Sequence, residues 1–189
     1  MSQYTRSTQK VFLIGPASVG KTTIGNLLAK RLGYTFLDVD ESFCSKLGNI
    51  GSYIKMKGYD QYCKANAEIT KTLSRDTQEP TIFATSSGFL AHTHLPEVIK
   101  ENTQTLRAGF SILLLPSSNP IQNVDMIVER QLARWDNLNE RKERQKFLER
   151  FDLYSQYGDL KILTDKKPEE VVKEIIENKI FSQAVLHSQ

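Results

Sequence analysis

Five short runs rich in apolar and β-branched residues recur along the chain, at 11–14 (VFLI), 35–39 (TFLDV), 81–84 (TIFA), 111–115 (SILLL) and 160–163 (LKIL). Longer stretches with helical spacing separate them. The runs are nearly continuous in hydrophobicity rather than alternating, as expected of strands covered on both faces. Strands alternating with helices predict right-handed crossovers and helices on both sides of the sheet. The expectation is a three-layer α/β/α fold with a five-stranded parallel sheet. In such sheets ligands gather beyond the carboxyl ends of the strands. The segments at 15–22, 38–40 and 85–88 each follow a strand, so all three are predicted to line one edge. Near the C-terminus, 168–180 reads as an amphipathic helix. Pro168 suits its first position, Glu169 and Glu170 suit its positive end, and Val171, Val172, Ile175 and Ile176 form its apolar face.

The segment after the first strand changes the picture from fold to chemistry. Residues 15–22 read Gly-Pro-Ala-Ser-Val-Gly-Lys-Thr, a full G-x-x-x-x-G-K-[ST] match. It lies between an apolar run and a helical pattern of Ile24, Leu27, Leu28, Arg31 and Leu32, as a phosphate cradle requires. Glycines 15 and 20 let the backbone curl with its N–H groups inward. The following helix adds a partial positive charge at its N-terminus. Gly15, Ala17, Ser18, Val19, Gly20, Lys21, Thr22 and Thr23 are the candidate contacts to a nucleoside triphosphate. Lys21 is expected to reach the terminal phosphates, and the Thr22 hydroxyl to ligate Mg²⁺.

Composition adds mainly exclusions. A chain of 189 residues suits one domain with a sizeable core. Its 25 basic and 22 acidic residues give a formal net charge of +3, which argues for neither nucleic acid nor an acidic membrane surface. Cys44 and Cys63 make neither a disulfide framework nor a metal-ligand pattern. The first ten residues are polar, with no apolar signal core, and no run is long enough to span a bilayer. The expectation is a cytoplasmic protein, monomeric or weakly oligomeric, acting on a small molecule.

Two further segments carry candidate chemistry. In Phe36-Leu-Asp38-Val-Asp40-Glu41, Asp38 is placed to hold the Mg²⁺ shell. Asp40 is placed to accept a proton from an attacking hydroxyl or to orient it. The plainer alternative is a turn in which Asp40 caps the next helix. Residues 126–134 read as a helix, and 135–146 are rich in charge and poor in core residues. That stretch is either a solvated helical surface or, over about 135–147, a lid bringing arginines to the phosphates.

Taken together, these residues resemble the shikimate kinase family, in the nucleoside-monophosphate-kinase-like branch of P-loop proteins. The loop at 15–22 followed by Asp38-Val-Asp40 begins the likeness. Gln131-Leu-Ala-Arg134 is similar to the motif whose arginine lies against adenine. Arg141 falls at the spacing of the lid arginine. Arg150-Phe-Asp-Leu-Tyr154 resembles the Arg-x-Pro-Leu-Tyr whose arginine holds the shikimate carboxylate. The likeness covers residues from about 10 to about 180. It implies an ATP-dependent and Mg²⁺-dependent kinase of aromatic amino acid biosynthesis that phosphorylates a hydroxyl of a small acidic acceptor. Shikimate, giving shikimate 3-phosphate, is the first choice. Lys21, Asp40 and Arg141 would be catalytic. Asp40, Ser87, Gly88 and Arg150 would contact the acceptor, Arg134 the nucleotide, and Thr22 and Asp38 the metal.

The chain also departs from that family. Ala84-Thr-Ser86-Ser87-Gly88 replaces a Gly-Gly-Gly after the third strand. Tyr62 matches an aromatic position, but Cys63 stands where an arginine would bind the acceptor carboxylate, and Asn66 where its acidic partner would be. Adjacent Lys64 points about 100° away on a helix. Lys142 follows Arg141 where a proline belongs, which makes Arg144 a competing lid residue. A reshaped acceptor site and a nucleotide-binding protein without kinase activity both remain open. A GTPase is disfavoured, because no guanine-recognising Asn-Lys-x-Asp and no Asp-x-x-Gly switch are present. His92 and His94 are expected to be solvated loop residues, and Cys63 a half-buried or buried thiol.

Overall fold

The structure, a computed structural model, describes residues 10–133 and 138–186. Its strands are β1 (Lys10–Ile14), β2 (Thr35–Asp38), β3 (Thr81–Ala84), β4 (Phe110–Leu115) and β5 (Leu160–Leu163). The helices are α1 (Lys21–Leu32), α2 (Val39–Leu47), α3 (Ile50–Lys57), α4 (Tyr59–Asp76), α5 (Pro96–Leu106), α6 (Pro120–Leu132), α7 (Glu140–Tyr154), α8 (Pro168–Glu177) and the short α9 (Lys179–Phe181). All strand pairs are parallel, in the order β2-β3-β1-β4-β5. Val11 to Ile14 of β1 and every residue of β3 and β4 are buried. Side chains alternate between faces along a strand, so burial of consecutive residues means that both faces are covered. This is the three-layer arrangement expected.

The boundaries differ in three informative places. Val39 is not the last residue of β2 but the first of α2, because the Asp38 side chain accepts from Asp40 N and Glu41 N and turns the chain there. Asp38, rather than Asp40, is therefore the cap. The C-terminal helix expected over 168–180 stops at Glu177. Asn178 takes an extended backbone and its side chain caps α9. The charged stretch after residue 139 belongs to α7, which packs along α6. Phe147, Phe151 and Tyr154 line its buried stripe at helical spacing, and Glu143 is buried with its carboxylate on Lys146 Nζ (2.6 Å).

The sheet places the phosphate loop at its centre. The chain runs to one side of β1 through β2 and β3, and to the other through β4 and β5, so the crevice opens beyond the end of β1. Gly15 leaves β1 with φ 141°, and a Cβ there would run into the carbonyl oxygen of Leu114. Backbone strain and the steric conflict add, so Gly15→Ala is expected to destabilise the fold by about 3 kcal/mol. That corresponds to a fall in melting temperature of about 10 °C in a chain of this size, readable by calorimetry.

Candidate active site

The loop between β1 and α1 closes on its own lysine. Gly20 has φ 93° and Ser18 φ 60°, the left-handed turns that bring successive N–H groups to one side. Lys21 is buried, with Nζ donating to Gly15 O (2.8 Å) and Pro16 O (2.7 Å). An ammonium held in this way stays inside the cradle and close to any anion bound there. Thr22 and Thr23 face solvent at the mouth. A cleft of about 490 Å³ opens on the far side of the loop, lined by Ser18, Thr23, Arg130, Thr164, Lys166 and Pro168 among others. Arg130 donates to Ser18 O (3.5 Å). Arg134, which the resemblance sets against adenine, lies outside the described residues. Arg130, one helical turn earlier, carried no motif.

Beyond β2, Asp38 does two jobs with its two oxygens. Oδ1 accepts the α2 N–H groups of Asp40 (2.9 Å) and Glu41 (3.3 Å), while Oδ2 accepts from Thr22 Oγ1 (2.8 Å). The cap fixes the carboxylate's direction, and the hydroxyl contact joins it to the phosphate loop. Two hard oxygen ligands side by side at the mouth of a phosphate cradle suit Mg²⁺, which keeps several waters and takes the rest of its shell from phosphate. Among the described residues no group of three or more His, Cys, Asp and Glu side chains gathers to hold a metal by itself.

Asp40 sits on the first turn of α2, facing inward. Burial, and then the negative charge of Asp38, push its carboxyl up to about 6; Lys21, the Tyr62 hydroxyl and Arg150 pull the other way. Tyr62 Oη donates to Asp40 Oδ1 at 3.5 Å. A carboxylate so placed has a basicity suited to accepting a hydroxyl proton near neutral pH.

One face of α4 forms the opposite wall. Tyr59, Tyr62, Cys63 and Asn66 fall at i, i+3, i+4 and i+7 and so share that face. Asn66 Oδ1 accepts from Ser86 Oγ (3.0 Å), whereas Asn66 Nδ2 is buried with no hydrogen-bond partner. Cys63 is buried, and its Sγ lies 3.5 Å from His92 Nδ1. Burial pushes the thiol up to about 11 and the imidazole down to about 4, so both are neutral near pH 7. His92 is thus a core residue rather than a solvated one, its ring edge-on to Tyr59 (5.7 Å). His94 remains exposed and pairs with Asp60 (2.9 Å). Lys64 points to solvent and does not fill the place of Cys63.

The segment after β3 meets α7. Arg150 and Tyr154, one turn apart on α7, both reach it. Arg150 donates from Nη1 to Ser87 Oγ (3.0 Å) and from Nη2 to Tyr59 Oη (3.0 Å). Tyr154, fully buried, accepts from Leu90 N (3.3 Å) and donates toward Ser86 O and Ser87 O (3.4 Å each). Neither Ser86 nor Ser87 has a positive φ, so replacing glycines here costs no backbone strain. Gly88 remains necessary, because a Cβ would lie 2.8 Å from His92 Cε1 and 3.2 Å from Tyr59 Oη. Ser87, expected to touch an acceptor, holds the arginine that the resemblance assigns to the acceptor's carboxylate. At the lid candidates, Arg144 is tied to Asp125 of α6 and approaches Glu140 (3.7 Å). Arg141 is exposed and has no hydrogen-bonded or ionic partner among the described residues.

The site therefore brings together a phosphate cradle, an oxygen pair for a divalent cation, a partly buried carboxylate and a guanidinium held by neutral oxygens. Comparison with known proteins points the same way. The sequence model of the shikimate kinase family matches residues 17–179. The shikimate kinase of Aquifex aeolicus is 32% identical over 168 residues, covering 88% of this chain and 94% of the relative. Its crystal structure superposes with a TM-score of 0.65 at 28% identity, over 88% and 94% of the two chains. A shikimate kinase from Acinetobacter baumannii, solved in complex with shikimate, superposes with a TM-score of 0.74 over 89% and 90% of the chains, and at 21% identity attests the fold. With a parallel five-stranded sheet around this cradle and a family match spanning most of its length, the chain belongs to the shikimate kinase family.

Proposed function

We propose that the protein transfers the γ-phosphoryl group of Mg-ATP to a hydroxyl of shikimate. The observation that carries this reading is Asp40. It is a partly buried carboxylate that feels the positive charges of both Lys21 and Arg150, two residues along the chain from Asp38, which Thr22 engages. The loop amides and Lys21 hold the phosphates, and Thr22 and Asp38 would hold Mg²⁺, whose charge neutralises that developing on the phosphoryl oxygens. Asp40 orients the acceptor hydroxyl and takes its proton as the bond to phosphorus forms. Arg150 holds the acceptor's carboxylate, with Gly88 beneath. Arg141 stabilises the transferring group, since Arg144 is occupied by Asp125. Arg134 contacts the nucleotide base. Catalysis on this plan is positioning and electrostatics within one domain.

The test is ADP release from Mg-ATP with and without shikimate, alongside Arg150→Ala. Shikimate is expected to stimulate release strongly in the wild type. Arg150→Ala is expected to raise KM for shikimate by about 100-fold, the loss of a charge-assisted contact. Stimulation unchanged by the substitution would remove Arg150 from the acceptor site.

A further inference from the structure

Arg150 is held in an unusual way for a cation in a partly buried cleft. Its two hydrogen bonds go not to carboxylates but to neutral hydroxyls, on Ser87 and Tyr59. Behind Tyr59 the chain of contacts continues. The Tyr59 hydroxyl faces the Cys63 sulfur, one turn along the same side of α4. The Cys63 sulfur in turn meets His92 Nδ1 (3.5 Å). With the proton of neutral His92 on Nε2, the series runs in one direction: guanidinium N–H to tyrosine oxygen, tyrosine O–H towards sulfur, thiol S–H to imidazole nitrogen. His92 closes the arrangement by packing edge-on against the Tyr59 ring, which Tyr62 also meets (5.9 Å).

We infer that Tyr59, supported by Cys63 and His92, is a positioning residue that pre-aims Arg150, so that this single guanidinium suffices to bind the acceptor's carboxylate. The inference rests on the reading that Arg150 takes that carboxylate. Its physical basis is preorganisation. Arginine carries many rotamers, and freezing them on binding weakens affinity, whereas a side chain already fixed loses little. Neutral acceptors suit this purpose. A carboxylate partner would neutralise the guanidinium and compete with the ligand, while hydroxyls orient it and leave its charge for an anion. Cys63 then acts without touching the acceptor: as a neutral thiol it accepts from Tyr59 and donates to His92.

The experiment measures shikimate binding by calorimetry for the wild type, Arg150→Ala, Tyr59→Phe, Cys63→Ala and Cys63→Ser, with steady-state kinetics in parallel. Tyr59 is partly exposed and phenylalanine keeps its ring, so Tyr59→Phe is a mild change. It is expected to weaken shikimate binding about tenfold and to raise KM for shikimate to match. The kcat at saturating shikimate and the KM for ATP are expected to stay within about twofold, a split that general loosening of the fold does not produce. Cys63→Ala is expected to weaken binding about threefold, and Cys63→Ser, which retains both hydrogen-bonding roles, to restore it. Loss of binding in Arg150→Ala with wild-type binding in Tyr59→Phe would overturn the inference and leave the functional reading intact. Unaltered binding in Arg150→Ala would overturn both.

Discussion

Lys21→Ala is expected to lower kcat for phosphoryl transfer by about 10³-fold, the scale of removing one preorganised charge from a developing anion. The side chain is buried in spite of its charge, with Nζ on the Gly15 and Pro16 carbonyls and close enough to Asp40 to pull that carboxyl downward. Burying an ammonium is costly unless something rewards it. Here the return comes when phosphate arrives, because the cradle already points the ammonium inward and needs no reorganisation. Removing the side chain deletes a buried charge along with its partners' contacts, so the melting temperature is expected to change by only a few degrees while turnover collapses. Stopped-flow or coupled ADP assays together with a thermal melt separate the two. Retained turnover in a folded Lys21→Ala variant would contradict the assignment.

Asp40→Asn is the second large effect, with kcat expected to fall between about 10² and 10⁴-fold. Asparagine keeps the shape and the capability to orient a hydroxyl, but it cannot take the proton. In the wild type, burial and the neighbouring charge of Asp38 push the carboxyl up to about 6. A raised carboxyl is protonated, and so idle as a base, at a higher pH than an ordinary one. The rate is therefore expected to fall as pH drops through about 6, and the Asn variant to lack that limb. A pH profile of kcat/KM in both proteins, which reports the groups of the free enzyme, checks the sign. An unchanged acidic limb in Asp40→Asn would assign it to another group.

The fold was legible because its determinants are local or periodic. Continuous apolar runs mark doubly covered strands, and a glycine-framed loop followed by lysine and threonine has few other uses. Asp38 and Asp40 were found by their position after β2, but their division of labour was not. Which of the two caps α2 depends on backbone angles at Asp38, and sequence shows only that two carboxylates are near a helix start. The end of α8 was missed for a similar reason, since Asn178 fits a helix by pattern yet its side chain caps the next turn. The acceptor wall was the least legible part. Tyr59, Cys63 and His92 meet only because α4 and the loop after β3 fold against each other, 29 residues separating the last two. The i, i+3, i+4, i+7 spacing of Tyr59, Tyr62, Cys63 and Asn66 was the available signal, and it reads equally well as a packing stripe. The hold of Ser87 on Arg150 was not legible either, because that contact spans 63 positions.

The most direct test of the central claim is the fate of the γ-phosphoryl group. ³¹P NMR of the enzyme with Mg-ATP and shikimate follows it without assuming a product. The account predicts a new phosphomonoester resonance growing in step with ADP, dependent on shikimate and absent from Lys21→Ala. ADP accompanied by inorganic phosphate alone, at a rate indifferent to shikimate, would show transfer to water and contradict it.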